Sequence, residues 1–124
     1  MRSARGVVRN ISANIIIGPY PSAGDLKKLR DEKGISVVVT FLDVRLPQEE
    51  SLNRREGDAA ERLGLQFRNF PLSYFSMGSD ENRQQAEALR AFVKENAGKK
   101  FYMNCYLGRH RVEYARKALM GQGG

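Results

Sequence analysis

The sequence predicts an α/β fold in which a central, mainly parallel sheet of four to five strands is flanked by helices. Short apolar segments alternate with amphipathic ones along the chain, and segment 35–42 is a nearly continuous β-branched run, which is typical of a strand buried on both faces. The 124 residues, 41% hydrophobic and 28% charged, have an ordinary globular composition. We therefore expect one domain spanning residues 1–124.

The chain opens with two predicted strands and a helix. Segments 7–11 and 14–17 are rich in Val and Ile, as strands are, and are separated by a Ser-Ala turn. Ser22 is placed to cap a helix, with Asp25 three residues later in the position of the capping-box acid. Gly34 is placed to end that helix. This part of the chain therefore predicts two adjacent strands that lead into the first helix.

The segments that follow the central strand alternate between helix and strand. Segment 48–63 has helical periodicity and stops at Gly64, and segment 66–70 is a strand that ends at Pro71. Apolar residues that face the core from the helix at 48–63 are Leu52, Ala59, Ala60 and Leu63.

The last third of the chain predicts a helix, a strand and a helix. Ser79 is placed to cap a helix that runs to about Asn96. Segment 100–104 is a short strand, and segment 111–120 is the final helix. This order continues the alternation expected of a parallel sheet.

The net charge of +7 is concentrated at the two ends of the chain. Residues 1–10 contain three arginines and no acid, and residues 99–124 contain six lysines and arginines against one glutamate. A basic segment attracts nucleic acid, anionic lipid or a phosphorylated ligand, or is simply a solvated surface. Aromatic residues are not interleaved with the basic ones as a stacking platform requires, so no nucleic-acid partner is expected.

The composition also bounds the cofactors and the location. One Cys and one His exclude an internal disulfide and a cysteine-rich zinc site, so we expect no metal and no other cofactor. The sequence has no apolar run of about 18 residues and no signal-peptide pattern. We therefore expect no transmembrane segment and a cytoplasmic location.

One short segment of the sequence, from Cys105 to Arg111, has residues typical of a catalytic or anion-binding site. Cys105 follows the strand at 100–104 and Arg111 begins the final helix, which gives the pattern Cys-x5-Arg on a strand, loop and helix. Such a loop turns backbone N–H groups toward one point, and the helix dipole adds positive potential there, so an oxyanion binds and the thiolate form of Cys105 is favoured. The predicted phosphate-binding residues are Tyr106, Leu107, Gly108, Arg109, His110 and Arg111.

These residues predict a nucleophilic phosphoryl transfer. Arg111 can bind two phosphate oxygens in fork geometry, and attack of Cys105 on phosphorus would form a phosphocysteine that water later hydrolyses. Gly108 would allow the backbone turn that keeps N–H groups facing inward. The alternative is that Cys105 is a small buried apolar residue at a strand end.

Four segments of the sequence resemble the cysteine-dependent phosphatases of the dual-specificity and tyrosine phosphatase type, in particular their small bacterial members. The segments are Asn-Ile-Ile-Ile-Gly-Pro-Tyr-Pro at 14–21, the strand and turn at 38–45, Phe-Pro-Leu at 70–72 and the loop at 105–111. The resemblance implies a dual-specificity-phosphatase-like fold that is short at its C-terminus. It also implies that Cys105 is the nucleophile.

The sequence departs from the phosphatase pattern on both sides of the loop. Asn104 stands where these phosphatases usually have His, and an amide can orient the loop but cannot carry a charge. Val112 stands where they usually have a Ser or Thr hydroxyl that assists departure of the thiolate, so slow breakdown of the phosphoenzyme is expected. A phosphate-binding or phosphoprotein-binding pseudophosphatase is therefore an alternative.

The general acid is the least determined residue. The resemblance implies an Asp shortly after the Pro-Leu pair at 71–72, but Tyr74 occupies that position. We favour Asp80 as the catalytic acid, with Glu81 and Asp43 as further candidates. Asp80 would also stabilise the N-terminus of a helix, and Asp43 would also suit a turn at a strand end.

The partners are expected to be phosphorylated molecules. A phosphorylated protein or a small phosphomonoester would suit the loop, and Arg109 and His110 would favour a strongly anionic substrate such as a phosphoinositide. A rhodanese-like sulfurtransferase is a less favoured alternative that also uses a Cys-led loop. A C-terminal helix left uncovered would expose an apolar face and favour an oligomer.

Overall fold

Strands and helices alternate in the computed structural model of the protein, which describes residues 2–3 and 6–121. The strands are β1 Arg2–Ser3, β2 Gly6–Val7, β3 Arg9–Ser12, β4 Ile15–Gly18, β5 Val37–Thr40, β6 Gln66–Asn69 and β7 Phe101–Asn104. The helices are α1 Ala23–Lys28, α2 Pro47–Arg62, α3 Asp80–Glu95 and α4 His110–Leu119, and a π-helical turn at Leu29–Lys33 extends α1.

Five of the strands form one sheet in the order β3-β4-β7-β5-β6. Strand β3 is antiparallel to β4, and every other neighbouring pair in this sheet is parallel. The prediction of a mainly parallel central sheet with flanking helices is therefore confirmed. Strands β1 and β2 form a separate antiparallel pair.

The central strand β7 divides the core into two layers because its side chains alternate between the faces of the sheet. Phe101, Met103 and Cys105 pack on one face with residues of α3 and α4, including Val112. Tyr102 packs on the other face with residues of α1 and α2. This burial on both faces explains why the strands around β7 read as continuous apolar runs.

The first helix begins and ends at the predicted residues. Ser22 Oγ accepts a hydrogen bond from the Asp25 N–H, and the Asp25 carboxylate accepts one from the Ser22 N–H, both at 3.0 Å. Gly34 ends the helical region with a φ of 75°, a conformation that favours glycine. The last five helical residues form the π-helical turn, which the regular periodicity of the sequence did not indicate.

The buried face of α2 contains an acid in addition to the predicted apolar residues. Ala60 is fully buried as expected, and Ala59 and Leu63 are partly buried against the same core. Leu52 is half-buried. The other buried residue of the helix is Glu56, which is 1% exposed. A charged residue type thus occupies a core position on this helix.

Helix α4 packs against the core through Val112 and Ala115. Tyr114 and Leu119 are partly buried against the same core, and Met120 beyond the helix is 39% exposed. An oligomer through an uncovered face of this helix stays a prediction. None of the helices in the described residues is both long enough and apolar enough to span a membrane.

Candidate active site

The cysteine and arginine of the predicted loop line one cavity. Strand β7 ends at Asn104, the chain turns through residues 105–109, and α4 begins at His110. Cys105 and Arg111 are 2% and 5% exposed, and both line a cavity of about 250 Å³. The remaining lining residues are Leu46, Gln48, Glu49, Tyr74, Phe75, Tyr106, Leu107, Arg109 and His110.

Gly108 sets the shape of this loop. Its φ is 69°, and a Cβ at this position would lie 2.6 Å from both the Gly18 carbonyl carbon and the Pro19 nitrogen. The Tyr20 N–H donates to the Tyr106 carbonyl oxygen at 3.0 Å and joins the loop to the same segment. The turn after β4 therefore packs directly on the loop, and only glycine fits at 108.

Arg111 is held by a carboxylate of α2. Its Nη1 lies 2.6 Å from Glu49 Oε1 and its Nη2 lies 3.0 Å from Glu49 Oε2, and both side chains are largely buried. Burial lowers the pKa of Arg111, but Glu49, the Cys105 sulfur and Asp43 outweigh that effect and raise it. Arg111 Nε is buried and has no hydrogen-bond partner in the described residues. The guanidinium is therefore a cation held in place by Glu49, and its Nε donor is unpaired among the residues described.

Asn104 precedes Cys105 and is fully buried. Its Nδ2 donates to the Val39 carbonyl oxygen at 3.2 Å and to Glu56 Oε2, and its Oδ1 accepts from Thr40 Oγ at 3.2 Å. Burial raises the pKa of Glu56 to about 8, although its polar neighbours Asn104 and Thr40 lower it. The residue that replaces the usual His is thus held in a buried polar network.

The predicted acids are not gathered around the cavity. Asp80 lies in the first turn of α3, is highly exposed and forms an ion pair with Arg83. Glu81 is exposed and pairs with Arg45 at 3.0 Å. Asp43 is buried, and Arg45 binds both of its oxygens and lowers its pKa. None of these three carboxylates lines the cavity that holds Cys105.

Tyr74 does line the cavity, in the position where the phosphatases have their acid. Its ring packs edge-on against the His110 ring at a centroid distance of 5.6 Å, and the Arg111 guanidinium lies 5.7 Å from the Tyr74 ring centre. Phe75 beside it is 81% exposed. The mouth of the cavity is therefore aromatic, and the carboxylate on its wall is Glu49.

A second, larger cavity adjoins the loop. It has a volume of about 780 Å³ and includes Gly108 together with three basic side chains, Arg9, Arg109 and Lys117. Arg9 forms an ion pair with Glu113. Arg109 and His110 line both cavities, so the loop separates a small pocket from a wider basic groove.

Two further features bear on the chemistry. Val112 is fully buried in the core beside Cys105, and it brings no hydroxyl to the site. Among the described residues, no group of three or more His, Cys, Asp or Glu is placed to hold a metal ion.

Comparison of the fold places the chain among solved phosphatase structures. A DUF442 protein from Shewanella putrefaciens CN-32, to which a phosphatase function has been attributed, superposes with a TM-score of 0.73 at 16% identity over 94% of this chain and 69% of that chain. The core catalytic domain of the PP-IP phosphatase SIW14 from S. cerevisiae superposes with a TM-score of 0.69 at 13% identity, over 92% of this chain and 64% of that chain. Tk-PTP in its active form gives 0.65 at 19% identity over 91% and 80%.

The protein has the fold of the cysteine-dependent phosphatases. This confirms the fold that the resemblance implied. At these identities the phosphatase fold is what the likeness establishes. No family model matches the sequence, and no curated protein matches it.

Sequence reasoning missed two residues of this phosphatase-like site. Glu49 lies in the first turn of α2, shortly after Pro47. An acid is common there because the helix dipole stabilises it, so its position did not indicate a role in the site. Glu56 interrupts the apolar face of the same helix between Leu52 and Ala60, and that interruption could have indicated a buried polar partner.

Proposed function

We propose that the protein is a phosphomonoester hydrolase that works through a phosphocysteine on Cys105. The observation that carries the proposal is that Cys105 and Arg111 line one cavity at the junction of β7, the loop and α4. The phosphatase fold of its structural neighbours supports the same reaction class.

In the first step the Cys105 thiolate attacks phosphorus. An S–P bond forms while the P–O bond of the ester breaks, and the departing oxygen takes up a proton. Loop N–H groups and the N-terminus of α4 would bind the phosphoryl oxygens together with Arg111. The unpartnered Arg111 Nε supports this role because a phosphate oxygen would supply the acceptor that the protein does not.

In the second step water attacks phosphorus and the S–P bond breaks. The products are inorganic phosphate and the Cys105 thiolate, and the water proton passes to solvent or to a nearby base. Val112 offers no hydroxyl to the departing sulfur. We therefore expect breakdown of the phosphoenzyme to limit turnover and to leave a burst of released alcohol in the first turnover.

The leaving group should be one that departs easily. The carboxylate that lines the cavity is Glu49, and it is committed to Arg111. His110 lines the cavity as well, so we propose it as the proton donor in preference to Asp80, which does not line the cavity. The aromatic rim formed by Tyr74 and Phe75 would suit an aryl phosphate.

A polyphosphorylated substrate is the second candidate class, supported by the basic groove beside the loop. Arg9, Arg109 and Lys117 line that groove and would attract further phosphates of a phosphoinositide or of a phosphoanhydride. A phosphoanhydride also has a leaving group that needs little protonation. The likeness in fold to a PP-IP phosphatase is consistent with this class.

The test is hydrolysis of p-nitrophenyl phosphate by the wild-type protein and by Cys105→Ser and Arg111→Lys, each checked for folding by circular dichroism. The proposal expects turnover by the wild type, none by Cys105→Ser, and a loss of about a hundredfold or more for Arg111→Lys, because a lysine cannot form the two-pronged contact. Equal rates for all three proteins would overturn it.

Phosphate binding without turnover is an alternative. The Glu49–Arg111 ion pair favours it, because it occupies the carboxylate on the cavity wall that could otherwise donate a proton. Calorimetric titration of the wild type with inorganic phosphate distinguishes the two. Measurable affinity that is lost in Arg111→Lys, with no hydrolysis of any phosphomonoester, would make the protein a phosphate-binding module.

A further inference from the structure

A buried polar network lies directly behind the nucleophilic loop. Its members are Thr40 at the end of β5, Asn104 at the end of β7 and Glu56 in α2, and each is at most 1% exposed. Thr40 and Asn104 are register partners in neighbouring parallel strands. Because Cys105 follows Asn104 in the chain, the network lies where the loop leaves the sheet.

The Asn104 side chain is fully engaged by this network. Both N–H groups of its amide donate, one to the Val39 carbonyl oxygen and one to Glu56 Oε2, and its oxygen accepts from Thr40 Oγ. Its main-chain oxygen accepts from the Phe41 N–H at 2.8 Å. Rotation of this residue would leave several polar groups unpaired where water does not reach them. The start of the loop is therefore held in place by hydrogen bonds to β5 and to α2.

Glu56 is the unusual member of the network. Its Oε1 is buried and has no hydrogen-bond partner in the described residues. Burial raises its pKa to about 8, so the carboxyl is largely protonated at neutral pH. A neutral carboxyl can hold the Asn104 amide without placing a negative charge behind an anionic sulfur.

We propose that Glu56 is a positioning residue that acts on Cys105 through Asn104. The neutral carboxyl holds the amide, the amide holds the last residue of β7, and the loop therefore leaves the sheet in the geometry that presents the sulfur to the cavity. The inference about turnover rests on the proposed function, whereas the inference about the sulfur does not.

The test compares two substitutions of Glu56. Glu56→Gln keeps the shape, the neutrality and an acceptor for Asn104, whereas Glu56→Met keeps the volume and removes the acceptor. Glu61→Met, at an exposed position of the same helix, is the matched control. The readouts are the rate at which iodoacetamide alkylates Cys105, the kcat and KM for p-nitrophenyl phosphate, and the folded fraction from near-ultraviolet circular dichroism.

We expect Glu56→Gln and Glu61→Met to match the wild type at neutral pH. Glu56→Met is expected to lower kcat/KM for p-nitrophenyl phosphate by about tenfold or more per folded molecule, because kcat/KM reports the attack by Cys105, and to change the alkylation rate in the same variant. A wild-type kcat/KM together with a wild-type alkylation rate in folded Glu56→Met would overturn the proposal. A loss of kcat/KM in Glu56→Gln equal to that in Glu56→Met would overturn it as well. If no variant hydrolyses phosphate esters, the proposed function fails while the alkylation rates still decide the role of Glu56.

A pH profile keeps the proposal testable if Glu56→Met does not fold. Above a pH of about 8 the wild type acquires a charge at Glu56 that Glu56→Gln lacks, so its alkylation rate relative to that variant should fall. Tyr102 is the neighbouring titratable group, interacting with Glu56, Asp25 and Cys105, and its pKa is raised so far that it stays neutral there. A ratio that is constant from neutral pH to above 8 would contradict the proposal.

Discussion

Arg111 and Glu49 form a buried two-pronged ion pair, with Nη1 2.6 Å from Oε1 and Nη2 3.0 Å from Oε2. Glu49 Oε1 also accepts a hydrogen bond from the Asp43 N–H at 2.7 Å. The carboxylate therefore ties the guanidinium of α4 to α2 and to the turn after β5. A phosphate on the loop would be a second anion on the same buried cation.

Glu49→Gln is expected to destabilise the protein by roughly 3 kcal/mol, because it leaves the Arg111 charge buried without a carboxylate. Inorganic phosphate should then raise the melting temperature of this variant more than that of the wild type, since phosphate replaces the missing anion. Differential scanning calorimetry with and without phosphate measures both effects. Glu50→Gln is the control, because Glu50 pairs with Arg54 at the exposed surface. Equal phosphate shifts in Glu49→Gln and the wild type would contradict the expectation.

Gly108→Ala should unfold or severely destabilise the site. A Cβ there meets backbone atoms of Gly18 and Pro19 at 2.6 Å, and backbone cannot move aside as a side chain can. Gly34 also has a positive φ but open space around it, so Gly34→Ala should cost only about 1 kcal/mol. Urea unfolding of the two variants separates the clash from the dihedral strain. A similar loss in the free energy of unfolding for both variants would mean that the backbone at 18–19 can move away from a Cβ at 108.

Asp80→Asn should leave kcat/KM within about twofold of the wild type, because Asp80 is exposed, paired with Arg83 and absent from the cavity wall. His110→Asn should lower kcat/KM for phenyl phosphate more than for p-nitrophenyl phosphate, because the poorer leaving group depends more on proton donation. The measured quantity is kcat/KM with both substrates, because it reports the first step, whereas breakdown of the phosphoenzyme limits kcat. A large leaving-group effect in Asp80→Asn, with none in His110→Asn, would identify Asp80 as the acid.

Glu56 should give the free energy of unfolding a distinctive pH dependence. Its pKa is about 8 in the folded protein and 4.5 as a free side chain, so the folded state holds the proton more tightly. The contribution of Glu56 to the free energy of unfolding is therefore greatest below a pH of about 4.5. It falls as the pH rises toward 8, by up to about 1.4 kcal/mol per pH unit. Glu56→Gln should remove this slope in urea unfolding between about pH 5.5 and pH 7.5.

The carboxylates of Asp43 and Glu113 do not produce this slope. The pKa values of Asp43 and Glu113 are lowered, chiefly by hydrogen bonds from Arg45 and from Arg9 respectively. Their contribution is present above the ordinary carboxyl pKa and is lost only as the pH falls below it. An unchanged slope in Glu56→Gln would show that Glu56 is ionised in the folded protein.

Local signals in the sequence were enough to predict most of the fold. The β-branched run before Phe41 predicts a strand buried on both faces, and the cap at Ser22 fixes the start of α1 to the residue. The loop from Cys105 to Arg111 was recognisable because its residues are contiguous and its chemistry depends on backbone N–H groups.

The surroundings of the loop were harder to predict because they come from distant segments. Glu49 and Glu56 are separated from their partners Arg111 and Asn104 by 62 and 48 residues. Nothing local distinguishes Glu49 from a surface acid of a helix, and the position of Glu56 on the apolar face of α2 indicates burial but not its partner. Asp80 was favoured as a carboxylate further along the chain than the expected position, which Tyr74 occupies, and at the helix start its side chain pairs with Arg83. Only the packing of α2 against β7 shows which glutamates enter the site.

The most direct measurement of the central claim is a rapid acid quench of the protein with p-nitrophenyl phosphate, followed by mass spectrometry of the peptide that contains Cys105. If the reaction passes through a phosphocysteine, this peptide gains the mass of one phosphoryl group during turnover, and the adduct is absent from Cys105→Ser. Hydrolysis that proceeds with no phosphoryl group on Cys105, or that persists in Cys105→Ser, would contradict it.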